Sequence, residues 1–380
     1  MARVDVRPEL LTWAVVRSGL SEVKLASRFP KLQSWIEGTT KPTLRQLEAF
    51  ATATFTSIGY LLLDAPPAEA LPIPDFRTVA DRQISRPSPH LLDTVYLCQQ
   101  RQDWFREFVR TQGEPPLSVV GSVGVGDDVI ETAARIRHAI GFDVAERRLM
   151  GSWDEALRRF IQRVDERGIL VMVSGVVGSN TRRRLNPQEF RGFALADDRA
   201  PLIFLNGADS KAAQMFTFAH ELAHIWIGQS AVSDATALVA SDHVTENWCN
   251  RVAAELLVPM AELRQALDAA PKPPDVQVLA RRFKVSTLVV LRRLHDAGRL
   301  TRDAYWQAYE AEVALIRALP KGSGGDFYLT LGARASKTFS RAIVGNTLEG
   351  ATSFTEAFRL LGFRKTETFY EAARQFGLSA

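Results

Sequence analysis

A chain of 380 residues is long enough for two or three domains with cores of their own, and 46% hydrophobic with 24% charged residues excludes a disordered polymer. No apolar run approaches the roughly 18 residues of a membrane span, and the opening Met-Ala-Arg-Val-Asp-Val-Arg lacks a secretory apolar core, so no membrane partner and a cytoplasmic location are expected. Two cysteines, Cys98 and Cys249, exclude a disulfide framework and read as core thiols, while a net charge of +4 permits nucleic-acid contact without arguing for it.

The first 64 residues read as four short helices, Glu9 to Ser18, Glu22 to Phe29, Pro30 or Lys31 to Glu37, and Thr43 to about Thr54. Tight turns between such helices suit a helix-turn-helix bundle, with Gly38 and Pro42 ending one helix and Thr43 capping the next. Residues 1–50 carry eight Lys/Arg against five acids, a local basic excess. Lys31, Gln33, Ser34 and Lys41 are the candidate DNA contacts, because long polar and basic side chains on a recognition helix reach base edges and phosphates. A solvated helix face carries the same residues.

Asp64-Ala65-Pro66-Pro67 and Leu71-Pro72-Ile73-Pro74 mark a boundary, and 65–150 is expected to be a linker with a helical scaffold. Leu91, Leu92, Val95, Trp104, Phe105 and Phe108 predict a long helix from Ser88 to about Thr111. A Gly- and Val-rich spacer at 119–126 precedes helices near 127–140 and 153–167. Strands follow at Ile169–Ser174, Phe190–Ala196 and Pro201–Asn206, the last two joined by the turn Asp197-Asp198-Arg199.

Next come helices from about Ser210 to Ile227 and from about Thr245 to Leu257, ended by Pro259, then an all-helical stretch at 275–312. A break at Gly322-Ser323-Gly324-Gly325 leads to a small helical module, 326–380. The expected fold is α+β and mostly helical: an N-terminal helix-turn-helix bundle, a domain at 151–320 built from a short antiparallel sheet and the 210–227 helix, and the C-terminal helical module.

Chemistry concentrates in His220-Glu221-Leu222-Ala223-His224, set in a helix that is otherwise almost wholly apolar. Residues four apart share a helical face, so both imidazoles can reach one metal ion while Glu221 addresses a water beside it. A catalytic zinc ion needs a third protein ligand, for which Glu246, Glu255 and His243 lie downstream. Glu246 is favoured because it shares a helical face with Asn250, a candidate to orient the ligands. Glu255 is read as solvated and His243 as a loop residue. The strand Gly192–Ala196 offers an edge on which an extended peptide can be added. No Tyr or His stands at a spacing that identifies an oxyanion stabiliser.

Phe218-Ala219-His220-Glu221-Leu222-Ala223-His224 together with Glu246-Asn247-Trp248-Cys249-Asn250-Arg251-Val252-Ala253-Ala254-Glu255-Leu256-Leu257-Val258-Pro259 resembles the ImmA/IrrE metallopeptidases over about 150–260. The resemblance implies a gluzincin-like zinc site with His220, His224 and Glu246 as ligands and Glu221 as base. It also implies regulation by removing or inactivating a repressor. Gln33-Ser34-Trp35-Ile36-Glu37-Gly38, then Lys41-Pro42-Thr43 and Leu47, is similar to the recognition end of phage-repressor helix-turn-helix modules, although Pro30-Lys31 stands where a Gly-containing turn is usual. Leu279 to Leu294 resembles a second such motif that completes the peptidase domain in this family. With the region around Phe327-Tyr328 and Gly362-Phe363, the layout looks like larger members found beside toxin genes. An antitoxin or regulator role follows from that likeness, with a repressor or toxin-like protein, double-stranded DNA and a second copy of the chain as candidate partners.

Overall fold

The computed structural model describes residues 3–76, 78–79, 82–83, 86–233, 244–269, 275–318 and 332–378. It divides into two compact units, Met1–Pro72 with Ile84–Val95, and Ile73–Gln83 with Tyr96–Ala380.

In the first unit, helices α1 (Pro8–Ser18), α2 (Glu22–Arg28), α3 (Leu32–Ile36) and α4 (Leu44–Ala53) are followed by a 3-10 turn at Ile58–Leu62. Phe29, Trp35 and Phe50 meet at ring separations of 5.6–6.4 Å and form its centre with Leu10, Leu11, Leu25 and Leu47. Thr43 caps α4 as its sequence predicts, in a reciprocal box with Gln46 that satisfies two otherwise orphaned backbone donors. The connection from α2 to α3 is three residues of extended and turn backbone, Phe29 to Lys31, which leaves α3 little more than one turn long.

The second unit begins with a two-stranded ribbon, β1 (Thr78–Val79) and β2 (Arg82–Gln83). Helices α5 (Pro89–Thr111), α6 (Val129–Ile140), α7 (Val144–Leu149) and α8 (Trp153–Asp165) follow in the chain. Strands β3 (Leu170–Ser174), β4 (Val176–Val177), β5 (Asn180–Arg184), β6 (Gly192–Leu195) and β7 (Leu202–Asn206) come in succession, then helix α9 (Lys211–Ile227), strand β8 (Ala231–Ser233) and helices α10 (Val244–Leu257) and α11 (Met260–Asp268). Helices α12 (Val276–Phe283), α13 (Thr287–Asp296) and α14 (Arg302–Ala318) complete the stretch expected to be helical.

The sheet runs β3-β7-β6-β8 and is mixed, which corrects the antiparallel expectation. The β6–β7 hairpin is antiparallel as its turn requires, and Asp197 closes that turn by accepting from the backbone of Arg199 and Ala200. β3 lies parallel to β7, from Leu170 opposite Leu202 to Ser174 opposite Asn206. The long connection between them, holding the β4–β5 hairpin, supplies the crossover that parallel pairing demands. β3, β6 and β7 are nearly continuously apolar because both sheet faces are covered, which is why they show little alternation.

The stretch that reads as a spacer in sequence caps α9. Gly121 N–H donates to Ile225 O at 3.3 Å and Val123 N–H to Trp226 O at 3.3 Å, satisfying helix-end carbonyls. Gly121 and Gly228 both have φ near +67° and pass so closely that a Cβ on Gly228 would stand 3.0 Å from the Gly121 Cα.

Three helices, Lys337–Leu348, Phe354–Leu361 and Thr366–Gln375, form the described C-terminal part; the break at 322–325 and Phe327-Tyr328 lie outside the described residues. Buried polar groups tie these helices to the rest of the unit. Arg101 of α5 donates to Leu360 O at 2.9 Å and Arg334 O at 3.0 Å, while its neighbour Gln102 donates to Leu195 O and Ala200 O at the sheet. Cys98 and Cys249 are buried and free, as expected of core thiols. Among the described residues no helix is long and apolar enough to cross a membrane.

Candidate metal centre

Ser210 caps α9 by accepting from Ala213 N–H, and the helix then runs through the core with every residue from Gln214 to Ile227 buried. His220 and His224 therefore lie on one face at 0% exposure, where only a specific partner repays their desolvation. α10 packs across α9 and brings Glu246, 4% exposed, to the same point from its first turn. His220 Nε2 stands 3.2 Å from Glu246 Oε2, His224 Nε2 is 3.0 Å from Glu246 Oε1, and the two Nε2 atoms are 3.1 Å apart. Among the described residues this is the one cluster whose donor atoms all fall within 4.8 Å of one another.

The donor set fits a divalent cation. Two imidazole nitrogens pointing at each other cannot both use their lone pairs without a proton or a cation between them, and N,N,O donors suit zinc. Asn250, one turn beyond Glu246, places its Oδ1 at 2.9 Å from His220 Nδ1. That oxygen only accepts, so the ring proton sits on Nδ1 and the Nε2 lone pair faces the cage.

Electrostatics follow from burial and mutual charge. Burial alone would raise the Glu246 carboxyl, but His220 and His224 outweigh it and hold the group well below the usual carboxylate range. His220 is correspondingly raised, since burial, which opposes its charge, is outweighed chiefly by Glu246. His224 is lowered, mainly by burial. Glu221 behaves otherwise: burial pushes it up to about 8, with His220 opposing the effect, Glu246 adding to it and the Ser233 hydroxyl opposing it more weakly. Glu221 is 0% exposed and both its carboxylate oxygens lack a hydrogen-bond partner, an arrangement that stores proton affinity next to the cage.

The other two ligand candidates fare differently. Glu255 is buried, contrary to its reading as solvated: it is paired with Arg293 and accepts from Met260 N–H, so its carboxylate is committed to the far end of α10. His243 lies outside the described residues. The strand offered as a peptide edge is not one, because β6 is paired on both sides, by β7 and by β8. The outer side of β8 is itself bonded, Val232 N–H to Pro74 O at 2.9 Å and Phe76 N–H to Val232 O at 3.0 Å.

In the first unit, Lys31 and Gln33 are exposed, but Gln33 donates to Glu37 Oε1 at 2.8 Å and Lys41 pairs with Asp5 at 2.9 Å. Ser34 is half-buried and its carbonyl accepts from Thr40 N–H and the Thr39 hydroxyl. Arg28, Lys31 and Arg45 line a groove beside Trp35 that runs between α2–α3 and α4.

Sequence reasoning passes over Gly192, Thr217 and Ser233. A Cβ at Gly192 would meet Thr217 Cγ2 at 2.7 Å, Glu221 Oε1 at 3.0 Å and Phe204 O at 3.0 Å, so only glycine lets β6 lie this close to α9. A glycine heading a buried strand is the available signal for such an approach.

A short mixed sheet packs on a helix that carries His-Glu-x-x-His, and the next helix returns a carboxylate to the two histidines. Residues 164–295, about a third of the chain, match the family model Peptidase_M78, described as the IrrE N-terminal-like domain. That span holds the sheet and every residue of the cage. Residues 335–375, the C-terminal helices, match a domain of unknown function, DUF8813. No curated protein matches the chain.

Proposed function

We propose that this protein is a zinc-dependent endopeptidase of narrow specificity that acts in regulation by cleaving or inactivating a repressor or toxin-like partner protein. The observation that carries the reading is Glu221, a buried carboxylate that closes no hydrogen bond of ordinary geometry, beside two histidines and a carboxylate in ligand geometry. A purely structural zinc site closes four ligands and has no task for such a group. His220, His224 and Glu246 would hold the zinc ion, which when bound would supply the Lewis acidity that activates a water. Glu221 accepts the proton of the attacking water and returns it to the departing amine. Asn250 keeps the His220 ring turned so that the same nitrogen always faces the cage.

The test is elemental analysis of purified wild type, His220→Ala, Glu246→Ala and Glu221→Gln, paired with mass-spectrometric detection of new N-termini in a cell lysate. One zinc per chain in the wild type and in Glu221→Gln, none in the other two, and new termini only with the wild type is the expected pattern. A wild type without metal sinks the reading.

A second reading is favoured by the basic groove of the first unit, where Arg28, Lys31 and Arg45 surround Trp35. It makes the chain a DNA-binding regulator or antitoxin whose zinc site is sensory or inactive. Double-stranded DNA is then the partner, with affinity falling steeply as salt rises and falling again in Lys31→Ala. Salt-insensitive or absent binding would remove it.

A further inference from the structure

We infer that Ser233 is a positioning residue that sets the orientation of the Glu221 carboxylate. The inference rests on Glu221 being the general base of the proposed peptidase. In the β6·β8 pairing Ser233 lies directly opposite Gly192. Residues opposite one another in an antiparallel pair project to the same face. The face at Gly192 is the one turned to Glu221, since a Cβ built there comes within 3.0 Å of Glu221 Oε1. The Ser233 side chain thus projects toward the carboxylate across the gap that the missing Gly192 side chain leaves open.

Both partners are 0% exposed, and neither closes a hydrogen bond of ordinary length and angle, yet the Ser233 hydroxyl stands near enough to the Glu221 carboxylate to act on it as a hydrogen-bond donor. An unpaired buried polar group is costly, so two facing each other are a pair held slightly apart and not two independent defects. Thr217 has the other orphaned hydroxyl in reach, one helical turn before Glu221, but the atom it turns to this gap is its methyl, Cγ2. Ser233 is therefore the donor. Its O–H donates to one carboxylate oxygen and pins the plane of the group, which leaves the other oxygen to take a proton from water on the cage side. Gly192 enforces the arrangement from the opposite strand, because any side chain there would occupy the space between them.

The test is crystallographic and needs no substrate: full-length wild type, Ser233→Ala and Ser233→Thr, each metal-free and soaked with zinc alone. The expected result is a single Glu221 orientation with one oxygen on the residue-233 hydroxyl in the wild type and in Ser233→Thr, and a rotated or split Glu221 in Ser233→Ala. Zinc stoichiometry should be unchanged in all three. A Glu221 unmoved in Ser233→Ala overturns the inference, as does a wild-type Ser233 hydroxyl turned away from it. Gly192→Ala is the second probe and should displace Glu221 even with Ser233 intact; an unmoved carboxylate there overturns the geometry on which the argument stands. The metallopeptidase reading fails separately, by the wild type taking up no zinc, and the metal-free density judges Ser233 in either case.

Discussion

His220 Nδ1 and Asn250 Oδ1 meet at 2.9 Å and join the helix bearing both histidines to the helix bearing Glu246. The contact fixes the ring tautomer, and outer partners of this kind are worth roughly 10–100-fold in metal affinity. Asn250→Ala is therefore expected to weaken zinc binding by about that factor in a competitive chelator titration. Asn250→Asp keeps an acceptor and adds negative charge, so it should bind at least as tightly as wild type. Equal affinity for Ala and wild type would show that the ring is oriented by packing alone.

The metal-free protein should lose stability as pH rises, through Glu221. Its carboxyl is raised from 4.5 to about 8 in the folded chain, so between these values the folded state holds a proton that the unfolded state has released. The contribution is fully present below the unfolded value and is lost as pH climbs through the folded one. In chelator-treated protein, Glu221→Gln should flatten the fall in unfolding free energy between about pH 5 and about pH 9, by an amount on the order of a few kcal/mol. Glu246, held low by the histidines, acts with the opposite sign: its contribution is present above 4.5 and fades as pH falls through its folded value. A wild type and a Glu221→Gln variant with parallel pH profiles would contradict the assignment.

The far end of α10 depends on buried charge. Arg293 pairs with Glu255 and donates to Val258 O at 3.0 Å, while Arg137 donates to Glu255 O and Arg147 to Leu257 O. Three guanidinium groups thus satisfy the closing carbonyls of the helix that carries Glu246. Arg293→Ala strands the Glu255 carboxylate in the core, and breaking a buried pair on one side costs about 3–5 kcal/mol. Urea unfolding should show that loss, whereas Arg299→Ala, at an exposed pair with Asp268, should stay within about 0.5 kcal/mol of wild type.

What the sequence makes legible is local: the His-Glu-x-x-His pattern, the Thr43 cap, the hairpin turn at Asp197 and the long helices each depend on neighbours within a few positions. Glu246 could be favoured over Glu255 only through its helical partner Asn250, and the structure separates the two by what faces them across other helices. The parallel β3, the capping of α9 by the 119–126 stretch and the α10 guanidinium cluster rest on contacts across tens to more than a hundred residues, for which periodicity has no signal. Ser233 escapes for the same reason: a serine ending a three-residue strand means nothing until it is seen opposite Gly192.

Asp165, at the end of α8, anchors the C-terminal helices. Its Oδ1 accepts from the Ser336 hydroxyl and from Val171 N–H at 3.2 Å, and its Oδ2 accepts from Thr338 N–H at 2.9 Å. Asp165→Ala removes all three acceptances and leaves buried donors unmatched, at about 1–3 kcal/mol each by the usual cost of an orphaned group. Asp165→Asn can keep the two bonds at its oxygen but presents an N–H to the Thr338 N–H, so it should fall between wild type and Ala. The loss should appear first in the C-terminal helices, as earlier proteolysis within 332–378 than within the sheet. If Asn and Ala are equally destabilised, the Thr338 contact carries the anchor; if neither is, packing of Phe339 against Trp104 at 5.5 Å holds the helices without the carboxylate.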